Sequence, residues 1–135
     1  IYMINIDILF QYLYFSTRFY VPSIPNKKKI KQLMECIPFF LPTSKDQQLL
    51  FSLIKENSII NYYDTSDQMI QYGYILYETY HKRKKLSYLD MDQYIKHYDS
   101  ILFISEKKKN SKLGMILILV LILSLLYICT LNYGY

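Results

Sequence analysis

The sequence predicts an all-α fold, a small helical domain followed by a single C-terminal transmembrane helix, and three observations predict it. Apolar residues recur at the i, i+3, i+4 and i+7 spacing of one helix face, without the alternation or Asn-Gly and Asp-Gly turns of β-hairpins. The nineteen residues 113–131 carry no charge, and a lysine-rich segment, 107–112, precedes them. The part before the lysines is long enough for one small domain, because about 100 residues bury only a modest core.

Residues 1–21 form an apolar, aromatic stretch that Asp7, Gln11 and Arg18 interrupt. As a second transmembrane helix this stretch would bury Asp7 in hydrocarbon at a cost of about 2.5 to 3.5 kcal/mol, so a helix at the lipid interface or on a partner protein is favoured. Its aromatic surface is more than we expect a small domain to cover alone. The residues predicted to bind a partner are Phe10, Tyr12, Leu13, Tyr14, Phe15, Phe19 and Tyr20.

Residues 22–25 contain two prolines and are expected to link that stretch to the helical domain, 26–106. The first helix of the domain is predicted over 26–37, where Pro38 ends it and starts an extended link. A second helix is expected to begin at Ser44, with Gln47 as its capping-box partner, and to end near Asn57.

A third helix is predicted from residues 64–66 to about residue 85, and because it is apolar almost all round we expect it to be central. A fourth helix is predicted to open at Ser87, with Asp90 at the capping-box position, and to lead towards the lysine-rich segment.

The uncharged segment 113–131 reads as a membrane anchor, because at about 1.5 Å per residue it spans roughly 30 Å, the thickness of the hydrocarbon core. Only residues 132–135 follow it as a short tail. The positive-inside rule places the N-terminal domain on the cytosolic or matrix side of the membrane. The residues that carry this topology prediction are Lys107, Lys108, Lys109 and Lys112.

The sequence offers little for catalysis. With only Gly73, Gly114 and Gly134, the chain has no glycine-rich phosphate loop. His81 lies in a basic run and is expected to be solvated, and Cys36 is expected to be a small core residue on a helix. No metal-ligand spacing connects these groups. We therefore expect no metal, no cofactor and no enzymatic activity.

The preferred interpretation is a non-catalytic, membrane-anchored accessory subunit whose partners are the bilayer and the other subunits of a larger membrane complex. The basic flank and a composition typical of AT-rich coding (much Ile, Lys, Asn and Tyr, and no Ala) favour the mitochondrial inner membrane, in a respiratory or ATP synthase assembly.

Two alternatives remain open. One is a tail-anchored adaptor of the endoplasmic reticulum or the mitochondrial outer membrane. The other is an RNA-contacting protein of a membrane-attached ribosome, which would use the tyrosines and lysines of residues 72–88. Because those tyrosines follow helical spacing, they are expected in the core, and nucleic acid is not the expected partner.

Overall fold

The computed structural model describes residues 6–103, and all regular structure within them is helical, which confirms the all-α prediction for this part of the chain. The predicted segments 107–112, 113–131 and 132–135 lie outside the described residues. The helices are α1 (Ile6–Arg18), α2 (Ile24–Cys36), a first 3₁₀ helix (Ile37–Phe40), α3 (Ser44–Glu56), a second 3₁₀ helix (Ile59–Asn61), α4 (Ser66–Arg83) and α5 (91–103).

Helix α2 begins inside the segment that the sequence suggested as a linker. Ser23 is its N-cap, and the Ser23 hydroxyl accepts a hydrogen bond from the backbone N–H of Asn26 at 3.2 Å. Pro25 is the second helical residue, where its missing N–H costs nothing because the first four N–H groups of a helix have no partner inside it. Pro25 therefore belongs to α2, whereas Pro22 precedes the N-cap and remains in the connection between α1 and α2.

Three other helices are capped by polar side chains, two of them at positions different from those predicted. Thr43, not Ser44, caps α3 by accepting a hydrogen bond from the N–H of Asp46. At the start of α5, Asp90 accepts from the N–H of Gln93 at 2.8 Å, and the Gln93 side chain accepts from the N–H of Asp90. This capping box lies three residues after the predicted one. Helix α4, capped by Thr65, has the predicted extent.

The core lies between α1 and α4, and tyrosine rings supply much of its volume. Residues up to Tyr98 form one compact unit, in which Tyr14, Tyr72, Tyr80 and Tyr94 are fully buried. The helices approach closely at Gly73, where a Cβ would lie 3.4 Å from the Thr17 side chain. That distance is an ordinary van der Waals separation, so the packing of α1 on α4 leaves room for a methyl group at this position.

The half-buried carboxylate of Asp46 joins the start of α3 to the end of α4. Asp46 accepts hydrogen bonds from the Lys84 ammonium at 2.6 Å and from the Tyr80 hydroxyl at 2.9 Å, and Thr43 donates to its other oxygen. Burial raises the pKa of Asp46, but these hydrogen bonds from Lys84, Thr43 and Tyr80 outweigh burial, so the pKa is lower than its usual value.

Candidate interaction surface

The structure divides the seven residues predicted to bind a partner. Phe10, Leu13, Tyr14 and Tyr20 are buried within the domain itself. Phe15 is half-buried, and only Tyr12 and Phe19 are largely exposed, at 55% and 63%. A side chain that is buried against its own chain offers no surface to a second protein. Of the seven predicted residues, only Tyr12, Phe15 and Phe19 therefore reach the surface of the described structure.

Helix α4 covers the apolar face of α1 that the sequence left without a partner. The Phe10 ring meets Tyr77 and Tyr80 edge-on, with centroids 5.4 Å apart in both pairs. Edge-to-face packing of this kind stabilises aromatic pairs by about 0.5 to 1.5 kcal/mol beyond area burial. Since these contacts join residues about seventy positions apart, helical periodicity alone could not identify them.

Two of the most exposed aromatic side chains that the sequence did not reveal lie in the first 3₁₀ helix. Pro38 is in the first turn of this helix, and with Ile37 it faces the core. Phe39 and Phe40 point the other way and are 67% and 68% exposed. The signal that could have found them is the pair of adjacent phenylalanines between Pro38 and Pro42, in a segment too short to cover both.

Phe39 lies beside a groove between α2 and α3, because its ring contacts a residue that lines that groove. The Phe39 ring packs edge-on against Phe51, with centroids 5.0 Å apart, and Phe51 lines the groove. We call this surface the aromatic groove. Its volume is about 530 Å³. Its apolar lining residues are Met34, Phe51, Ile54 and Ile59, its polar and charged lining residues include Lys31, Glu35 and Lys55, and Phe39 adjoins it through Phe51.

A second, shallower depression lies beside the first turns of α2. Ile24, Lys27, Lys28 and Lys31 share one face of that helix by their i, i+3, i+4 and i+7 spacing. Ile60 and Tyr63 complete the lining of the depression, which has a volume of about 330 Å³. We call this surface, formed by Ile24, Lys27, Lys28, Lys31, Ile60 and Tyr63, the lysine–isoleucine face.

Two residues considered for chemistry lie in surroundings different from those predicted. His81 is buried rather than solvated, because its ring packs against Phe10 and Tyr77 while Nδ1 donates to the Tyr77 carbonyl at 2.7 Å. Cys36, expected in the core, is exposed at the end of α2. Within the described part of the chain, no three His, Cys, Asp or Glu side chains come together as a metal site requires.

The comparisons with known proteins do not add a family assignment: no family model, no curated protein and no solved structure matches this chain. Among residues 6–103, no helix is both long enough and apolar enough to cross a bilayer.

Proposed function

We propose that this protein is a non-catalytic, membrane-anchored accessory subunit of a larger membrane protein complex. The observation that carries the proposal is the uncharged apolar segment 113–131 with four lysines, Lys107, Lys108, Lys109 and Lys112, immediately before it. The mitochondrial inner membrane is the proposed location, in a respiratory or ATP synthase assembly, with the helical domain on the matrix side. The basic flank and the AT-rich coding support that location.

The aromatic groove is the proposed binding surface for another subunit. Exposed phenylalanines such as Phe39 and Phe40 are costly to leave in water, and aromatic side chains are enriched at the centres of protein interfaces. Lys31 and Glu35 at the groove edge supply both signs of charge, which suits a protein surface of mixed charge better than a uniformly anionic one. We therefore propose an apolar segment of a second subunit, rather than lipid, as the occupant.

The test is purification of the native protein in mild detergent, followed by mass spectrometry of the proteins that migrate with it at fixed ratio. The proposal expects subunits of one membrane complex at constant stoichiometry. Migration alone or with trafficking proteins at low occupancy would contradict it and favour a tail-anchored adaptor. Co-purification with RNA that is lost when residues 82–85 are neutralised would favour the ribosomal alternative.

Anchoring is tested separately by alkaline extraction of membranes. Leu121 lies near the middle of the apolar segment, and Leu121→Arg places a charge there at a cost of about 2.5 to 3.5 kcal/mol. We expect the unaltered protein to stay with the membrane pellet and the variant to move to the supernatant. Leu121→Ile is the matched control and should behave like the unaltered protein. Release of the unaltered protein at alkaline pH would overturn the anchor.

A further inference from the structure

The lysine–isoleucine face combines exposed aliphatic side chains with a surplus of positive charge. Ile24 is 87% exposed and Ile60 is 51% exposed, so both apolar tips stand in water. Lys27 is paired with Asp64, and Lys31 lies 4.0 Å from Glu35. Lys28 has no ion-pair partner among the described residues. The face therefore presents apolar groups and at least one uncompensated cation on the same side of α2.

The helix dipole does not explain the position of these lysines. The first turn of the helix contains no acidic residue, although an acidic residue there would interact favourably with the helix dipole. Instead Lys27, Lys28 and Lys29 follow directly after that turn. This arrangement concentrates positive potential beside two exposed isoleucines, and it suits a negatively charged surface outside the chain.

We propose that the lysine–isoleucine face docks onto an anionic phospholipid membrane, with the lysines at the headgroups and Ile24 and Ile60 inserted among the upper acyl carbons. Single-stranded nucleic acid fits less well, because bases stack on aromatic rings and the two most exposed apolar groups here are aliphatic. The one ring of the face, Tyr63, lies under the Lys27 ammonium at 4.7 Å. The proposal concerns described residues alone and does not rest on segment 113–131.

The absence of tryptophan from the chain allows a clean optical test on the full-length protein. Ile24→Trp introduces one fluorophore on the docking face, and Leu86→Trp introduces one at an exposed position outside it. Each variant is reconstituted into phosphatidylcholine vesicles with brominated acyl chains, with and without phosphatidylserine. We expect strong quenching of Trp fluorescence for Ile24→Trp only when phosphatidylserine is present, reduced by high salt, and little quenching for Leu86→Trp.

A matched pair of charge changes separates docking from general attraction. Lys28 lies on the face, whereas the neighbouring Lys29 is turned about 100° around the helix and lines a different depression. In the Ile24→Trp protein, Lys28→Gln should lower the ratio of docked to undocked protein by about five-fold. Lys29→Gln should lower that ratio much less.

Three results would overturn the proposal: equal quenching in neutral and anionic vesicles, equal quenching at positions 24 and 86, or equal effects of Lys28→Gln and Lys29→Gln. Membrane insertion of segment 113–131 is measured separately, by flotation of the protein with neutral vesicles. That measurement does not depend on the lysine–isoleucine face.

Discussion

The α1–α4 pair and the connection between α2 and α3 both contain large aromatic side chains, but only the α1–α4 pair buries most of them. Phe10 and Tyr14 on α1 are fully buried against α4 and its neighbours, whereas Phe39 and Phe40 beside α2 and α3 are about two-thirds exposed. The difference arises from chain geometry. Two complete helices can each cover the other's apolar stripe, but the short connection between Cys36 and Ser44 cannot fold back over itself.

This contrast shows that an apolar stretch by itself does not identify a binding surface. The aromatic residues of α1 looked like an interface because their partner helix lies far along the chain. Phe39 and Phe40 of the 3₁₀ helix attracted no prediction because they lie between two prolines, yet both remain largely exposed to water.

The largest effect that should distinguish the two regions is alkaline unfolding of the tyrosine-rich core. Burial raises the pKa of Tyr72, Tyr80, Tyr94 and Tyr98 above the ordinary value of 10.0. Between the unfolded and the folded pKa, the unfolded state loses protons that the folded state keeps, so stability is complete below about pH 10 and falls as the pH rises above it. Circular dichroism of the full chain in detergent against pH measures this loss.

The aromatic groove contains no tyrosine, so removing an aromatic side chain beside it should not change the pH at which the domain unfolds. Phe39→Ser is the control and should unfold at the same pH as the unaltered protein. A helical signal that persists unchanged to the pH at which free tyrosine is fully ionised would contradict the burial of these phenols.

The next largest effect is expected from Phe10→Ala. Removing a fully buried phenylalanine leaves a cavity and costs about 3 to 5 kcal/mol in the free energy of unfolding. The matched change Phe40→Ala, at a side chain 68% exposed, should alter that free energy by no more than about 0.5 kcal/mol. Denaturant unfolding of both variants tests the contrast, and similar losses at the two positions would show that the two regions are equally buried.

A smaller effect is expected from Asp46→Asn at the junction of α3 and α4. The change removes a charged acceptor of three side-chain donors and should cost about 1 to 3 kcal/mol. Because the folded pKa is lowered, the stability that Asp46 provides is present above its unfolded pKa of 3.8 and is lost as the pH falls below that value.

Asp67 is the control for this junction, since it occupies the first turn of α4 as Asp46 occupies the first turn of α3, but it is exposed. Asp67→Asn should lose only the contribution of the helix dipole, about 0.3 to 1 kcal/mol. Thermal unfolding of the two variants at neutral pH compares them, and equal shifts would assign no role to the hydrogen bonds of Asp46.

The smallest effect is expected from Tyr94→Phe. The hydroxyl of Tyr94 is buried and has no hydrogen-bond partner among the described residues, so its removal should leave stability unchanged or raise it by up to about 1 kcal/mol. Tyr80→Phe provides the contrast, because the Tyr80 hydroxyl donates to Asp46 and its loss should destabilise the domain by about 1 kcal/mol. The denaturant midpoint should stay the same or rise in Tyr94→Phe and should fall in Tyr80→Phe.

The sequence was sufficient for the all-α class of residues 6–103 and for elements whose evidence is local. The extent of α4 and the end of α3 follow from periodicity and from nearby polar residues. The N-caps are Thr43 and Asp90 rather than Ser44 and Ser87. Several polar residues compete for each cap position, and tertiary packing decides among them. The burial of His81 could not be read from its basic neighbours, since it depends on Phe10 of a distant helix.

The candidate site was less predictable than the fold. The aromatic groove and the lysine–isoleucine face each combine residues of α2 with residues from later in the chain. The groove includes residues of α3 and Ile59, and the face includes Ile60 and Tyr63. Spacing along one helix showed the apolar stripe of α2 that includes Ile30 and Met34, which is buried. Which of the remaining residues meet α3 or the second 3₁₀ helix is a property of packing and not of any single segment.

The most direct measurement compares two double variants in the native purification with quantitative mass spectrometry. Phe39→Ser with Phe40→Ser removes the two exposed phenylalanines of the 3₁₀ helix beside the groove, and Tyr12→Ser with Phe19→Ser removes two exposed aromatic side chains from α1 and the residue that follows it. If the groove binds the second subunit, the first variant will remain folded and in the membrane but lose the co-purifying subunits, while the second will retain them. The opposite pattern would return the partner-binding role to α1, and retention by both would contradict a subunit interface at either surface.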